Sequence, residues 1–173
     1  KPSRKSPAPP FTTSTLQQEA SRKLGFPVAQ TMSVAQRLYE AGKITYMRTD
    51  SVHLSETALH MARQVITQSF GDKYAQTRQF KTRSKGAQEA HEAIRPTHME
   101  KAEISGTAAE KRLYELIWKR TVASQMSDAL LEKTTAIIEV SAAPEKFVST
   151  GEVIRFDGFL KLYIESSDEE NEE

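Results

Sequence analysis

The chain has 173 residues, enough for one ordinary domain or one domain and part of another, and 38% of them are hydrophobic. It holds no cysteine, which excludes disulfides and cysteine-based zinc sites, and no apolar run long enough for a membrane-spanning helix. The formal charge of +1 is an average: residues 165–173 carry six acids and no base, and without them 24 basic residues face 17 acidic ones, a net of +7. A basic body of this kind suits a polyanionic partner.

In chain order, residues 1–10 (KPSRKSPAPP) are rich in Pro, Ser and Lys and are expected to be linker. Thr13 or Ser14 caps a first helix through LQQEASRKL, stopped at Gly25. Thr31 or Ser33 caps a second, with Val34, Leu38 and Ala41 on one face and Gly42 at its end. The run KITYMRTDS is short and extended in character. Ser55 caps a third helix with Leu59, Ala62, Val65 and Ile66 near one face and Gly71 behind it. Residues 72–88 are expected to be loop. Thr107 caps a fourth helix, where Leu113, Leu116, Ile117, Trp118 and Val122 supply a core stripe.

The pattern changes near Asp128. TTAIIEV, FVSTGEVIRF and GFLKLYI are β-rich and are separated by Pro144 and the Asp157-Gly158 turn signal. A β unit this short leaves an open sheet edge, and the chain opens on Lys rather than Met. Both features suggest a piece of a longer protein. The fold class expected is mainly α with a smaller β portion: a helical domain over 11–127, a partial β-rich domain over 128–164, and a disordered acidic tail over 165–173.

Three segments can carry chemistry. In an extended chain, residues two apart share a side, so Tyr46 and Arg48 would face the same way. A phenol is a weak nucleophile at its ordinary pKa of about 10. A nearby cation favours the phenolate, and a guanidinium can hold two phosphate oxygens. A bare Y-x-R is nevertheless more often a packed tyrosine beside a surface arginine. The second segment, Glu89 to Thr97, sets His91, Glu92 and Arg95 just before Pro96. His91 can donate to a phosphate or pair with a carboxylate such as Asp50. His91-Glu92 lacks the second histidine that a zinc-protease helix requires, and no metal-ligand set is read in the chain. The third segment, Lys73 to Gln88, carries Lys73, Arg78, Lys81, Arg83 and Lys85 with Tyr74 and Phe80 among them, and no acid. Such a loop can follow a single nucleic-acid strand by charge and base stacking, or be an ordinary solvated loop. Trp118 and Tyr114 are expected in the core.

Taken together these segments resemble a known family. RLYEAGKIT followed by YMRTDS, and AHEAIRPT about 45 positions later, are similar to the active-site signatures of type IA DNA topoisomerases, in the bacterial topoisomerase I branch. TSTLQQEASRKLGF upstream, and LYELIWKRTVASQM and RFDGF downstream, extend the resemblance from about Pro10 to Tyr163. The resemblance implies a helical domain that closes one side of a toroidal hole, followed by part of a β arch. It implies Tyr46 as the nucleophile that links to a 5′ phosphate, Arg48 as a stabiliser of phosphate charge, His91 as a phosphate contact, and Asp50 tuning it. Glu92 and Arg95 would shape the site, with Arg95, Lys81, Arg83 and Lys85 as DNA contacts. Magnesium would be bound by an acid-rich domain of the parent that has no counterpart here, so the fragment alone is expected to be inactive. The implied partners are single-stranded DNA and the other domains of the parent, with no membrane. The implied state is a cytoplasmic, nucleoid-associated monomer. Two other classes stay open: a non-catalytic single-strand-binding module using the basic loop, and a helical interaction domain using the acidic tail.

Overall fold

A computed structural model describes residues 1–82, 91–142 and 144–166. Four helices form the body: α1 (Thr13–Leu24), α2 (Val28–Glu40), α3 (Glu56–Ser69) and α4 (Ala108–Ser124). A three-stranded antiparallel sheet leans from one end, in the order β1 (Pro2–Lys5), β2 (Ala129–Glu139), β3 (Lys146–Phe156). The mainly helical class with a smaller β portion is therefore as expected.

The helix ends follow local chemistry. Thr12, one residue before the expected cap, accepts the Thr15 N–H, and the Thr15 hydroxyl accepts the Thr12 N–H in return. Gly25 closes α1 at φ +67°, a left-handed turn that glycine enters without strain. The second helix starts earlier than Thr31 or Ser33 would place it. Pro27 stands at its cap, where a residue with no N–H and a pre-set φ costs nothing, and Thr31 is buried within the helix. Ser55 and Thr107 cap α3 and α4 as their sequences indicate.

Helix α4 is more than an amphipathic stripe. Leu113, Tyr114, Leu116, Ile117, Trp118, Val122 and Ala123 are all buried, because α1, α2 and α3 pack around it. Burial is continuous from Arg120 to Ser124, as in a central helix, while Lys111, Arg112 and Glu115 keep a solvent face in the first half. Trp118 and Tyr114 belong to this core, and the indole N–H finds the Met99 carbonyl at 2.8 Å.

Residues 2–5, expected to be linker, instead pair with β2 from Pro2 opposite Glu132 to Lys5 opposite Ala129. The ladder partner lies more than 120 residues away in sequence, so no local signal announces it. Residues 158–161, expected within a third β-rich run, form a 3₁₀ turn. Gly158 has φ +51°, and a Cβ there would stand 2.4 Å from the Ser127 and Asp128 carbonyl oxygens. This close approach lets the Phe159 N–H donate to Ser127 O at 2.9 Å and buries Phe159 and Tyr163 against the helices.

Two of the three crossings between body and sheet, the first and the last, meet at one buried arginine. Arg120 Nε donates to the Pro9 carbonyl on the incoming chain at 2.6 Å. Its Nη1 reaches the Tyr163 hydroxyl and the Glu165 carboxylate, each at 3.3 Å, on the outgoing chain. Tyr163 donates to Glu19, a carboxylate only 2% exposed, which also accepts the Ser166 N–H at 3.1 Å. Burial and the Glu19 bond push the Tyr163 phenol well above its ordinary range. The acidic tail expected over 165–173 lies outside the described residues beyond Ser166.

Candidate active site

The segment after α2 turns back sharply. The Lys43 N–H donates to Leu38 O at 2.9 Å, and Gly42 takes φ +71°. From Ile44 to Ser51 the chain is irregular rather than a strand, with a lone bridge from Ile44 to Pro96. Ile44 is buried, and from Tyr46 on exposure alternates: Met47 and Ser51 are buried, while Tyr46, Arg48 and Asp50 face solvent. Tyr46 and Arg48 are thus both exposed, although no sheet orders the segment.

Cross-chain hydrogen bonds hold this segment in place of a ladder. Thr45 is the first clamp. Its hydroxyl donates to Ala93 O at 2.7 Å and accepts the Arg95 N–H at 2.9 Å, and its own N–H donates to Arg95 O at 2.9 Å. Thr13, at the start of α1, is the second. Its hydroxyl donates to Met47 O at 2.7 Å and accepts the Thr49 N–H at 2.8 Å, and its N–H donates to Thr49 O at 2.9 Å. Neither threonine stands out in the sequence. Thr13 reads there as a helix cap, and nothing marks Thr45 beyond its place beside Tyr46.

The second segment is anchored in the same way. The Ala93 N–H donates to His53 O at 2.8 Å, and the Ile94 N–H to Phe11 O at 2.9 Å. Glu92 accepts the Ser55 N–H at 2.8 Å and makes a two-pronged pair with Arg95, Nε at 2.9 Å and Nη2 at 2.8 Å. Burial would raise the Glu92 carboxyl, but the Arg95 guanidinium and the Ser55 N–H outweigh it and hold the group below its ordinary value of 4.5. Arg95, expected among the DNA contacts, has its guanidinium taken up by Glu92 and by the Pro96 carbonyl at 3.0 Å. It braces the segment from within. His91 is exposed at the start of this segment.

The structure therefore brings the two signature segments side by side and leaves Tyr46, Arg48, Asp50 and His91 at the surface. Tyr46 is 46% exposed, and the ring of Tyr39 from the last turn of α2 meets it edge-on, with centroids 5.2 Å apart and planes at 65°.

The basic loop is less available than its sequence suggests. Tyr74 is buried and donates to Asp157 at 2.7 Å, so it offers no stacking face. Arg78 is consumed by Asp128, at 3.1 Å from both Nη1 and Nη2, and by the Met126 carbonyl. Lys73 and Lys81 are exposed, and Phe80 is half-buried. Arg83 and Lys85 lie outside the described residues. No helix is long and apolar enough to cross a membrane, and no group of three or more histidine or acidic side chains is disposed to hold a metal, both among the described residues.

Comparison with known proteins places this geometry. A family model described as DNA topoisomerase matches residues 1–173. DNA topoisomerase 1 of Synechocystis is 52% identical over 174 residues, covering 98% of this chain and 19% of that protein. The enzyme of Streptomyces coelicolor is 52% identical over 181 residues, covering all of this chain and 19% of that protein. The structure of full-length topoisomerase I from Thermotoga maritima superposes with a TM-score of 0.82 at 40% identity, over 97% of this chain and 29% of that one. The chain thus spans about a fifth of the length of the curated relatives it matches.

Proposed function

The chain belongs to the DNA topoisomerase family, as a fragment of the bacterial type IA topoisomerase I branch, and from that premise we propose that Tyr46 is the residue that cleaves DNA. The Tyr46 phenolic oxygen attacks a backbone phosphorus of one strand. A bond forms from phosphorus to the tyrosyl oxygen, the bond to the 3′ oxygen breaks, and the phenolic proton balances the 3′ hydroxyl that departs. Reversal by that hydroxyl reseals the strand. One phosphodiester is exchanged for another, so no ATP is consumed.

Arg48, exposed two residues on, stabilises charge on the phosphate. His91 contacts the same phosphate and Asp50 tunes it. Arg95 and Glu92 position the segment that presents His91. Lys81, Arg83 and Lys85 contribute positive charge that attracts the single strand. The observation that carries this reading is the direct joining of the Tyr46 and Arg95 segments through Thr45.

The family resemblance assigns magnesium to an acid-rich domain of the parent. The described residues supply no ligand set that fits it, and no step above runs through it. Residues 11–127 are then the tyrosine-bearing domain and 128–164 part of the arch. The isolated fragment neither relaxes nor cleaves DNA, and the intact parent acts as a cytoplasmic monomer. The rival single-strand-binding module retains Lys73 and Lys81 but loses Tyr74 and Arg78 to internal contacts.

Covalent capture tests the reading. An end-labelled single-stranded oligonucleotide is mixed with this fragment, magnesium and the separately made remainder of the parent, then quenched in denaturant. Intact parent and its Tyr46→Phe variant run alongside. A labelled protein band from the parent that Tyr46→Phe abolishes is the expected result. A band that persists in Tyr46→Phe, or no band from an otherwise intact parent, would overturn it.

A further inference from the structure

We infer that Tyr39 is a positioning residue that holds the Tyr46 phenol in its attacking orientation, an inference that rests on the reading of Tyr46 as nucleophile. The main chain on either side of Tyr46 is already fixed. Thr45 is tied to Ala93 and Arg95, and the Met47 carbonyl accepts from Thr13 while its side chain is buried. What remains free is the Tyr46 side chain about its two torsions. Solvent-facing rotamers interconvert unless something selects one.

Tyr39 is placed to select it. It sits on the last turn of α2, next to the buried Leu38, which anchors that turn in the core. The fold-back at Gly42 returns the chain so that Tyr46 lies against a ring seven residues earlier. The separation of 5.2 Å and the angle of 65° fall within the favourable edge-to-face range for aromatic pairs. Both rings are more than two-fifths exposed, at 43% for Tyr39 and 46% for Tyr46, so the pair contributes little to the core. A surface pair with little part in stability, attached to a clamped backbone, suits a role in orientation. A nucleophile held close to its line of attack reacts far faster than one that samples several rotamers.

The contact is through the rings, so the tyrosine hydroxyl at position 39 is dispensable and the ring is not. The test uses the full-length parent and single-turnover cleavage of a labelled oligonucleotide, with Tyr39→Ala, Tyr39→Phe and Tyr46→Phe compared. Tyr39→Ala is expected to slow cleavage about three- to tenfold, the range that loss of one aromatic pair implies, with KM within about twofold. Tyr39→Phe is expected to restore the rate to within about twofold. The fold of each variant is checked by its thermal midpoint, which a surface ring leaves nearly unchanged. Cleavage by Tyr39→Ala at the parent's rate would overturn the inference. So would a loss confined to KM, or a Tyr39→Phe variant as slow as the alanine. Capture that survives in Tyr46→Phe would instead remove the nucleophile reading beneath it.

Discussion

The β2–β3 ribbon and the stretch from Ile44 to Ser51 invert the usual link between regularity and order. The ribbon has a ladder running from Leu130 opposite Phe156 to Glu139 opposite Lys146. Most of its side chains are nevertheless exposed on both faces, including Ile137, Ile138, Phe147, Val148 and Ile154. The Ile44–Ser51 stretch has no ladder, but two threonines bond it to two other parts of the chain, and Met47 and Ser51 are buried. Backbone hydrogen bonds satisfy the chain without burying apolar area, and burial supplies most of the driving force. The irregular stretch is therefore the better-anchored region, and the regular ribbon is the one with surface left over.

The largest effect is expected at Arg120, where the chain passes between the sheet and the helical body. Arg120→Ala leaves the Tyr163 hydroxyl and the Glu165 carboxylate without their buried cation and frees the Pro9 carbonyl. A loss of about 2–4 kcal/mol is expected, from the stranded Pro9 carbonyl and the lost packing of the buried arginine stem, read by urea unfolding of the 173-residue chain. A loss under about 1 kcal/mol would mean that the two crossings do not depend on Arg120.

Thr13→Val keeps the shape of the side chain but removes the bonds to Met47 O and Thr49 N. It is expected to cost about 1–3 kcal/mol, since it strands polar backbone groups. The same variant in the full-length parent should lose more covalent capture than binding.

Glu92→Gln is expected to cost about 1 kcal/mol at neutral pH, a modest figure because the pair is partly exposed. The cost should depend on pH. The Glu92 carboxyl is lowered in the fold, so its contribution is fully present above its unfolded value near 4.5 and is lost as pH falls through the folded value. Melting curves of the two proteins should therefore converge below pH 4.5; a constant gap would show that the Arg95 pair carries no charge-dependent stability.

Phe147→Ser sharpens the comparison from the other side. The residue is 64% exposed on a regular strand, and the change is expected to move stability by no more than about 0.5 kcal/mol in this chain. A larger loss would mean that the ribbon is folded back onto apolar surface.

What the sequence settled by itself is local. The Ser55 and Thr107 caps, the stops near Gly25, Gly42 and Gly71, and the four helices are written within a few residues of each element, because capping and apolar spacing act over one or two turns. The two signature motifs, and hence the family, were legible for the same reason. The tertiary structure alone decided what depends on distant partners. Pro2–Lys5 became a strand because β2 lies beside it, Pro27 took the start of α2 from Thr31 and Ser33, and GFLK became a turn because Gly158 abuts Ser127. Tyr74, Arg78 and Arg95 look like nucleic-acid contacts in one dimension, yet Asp157, Asp128 and Glu92 claim them in three. A side chain's chemistry is written at its own position. Whether that chemistry is free to act depends on which other groups the fold sets within about 3 Å of it.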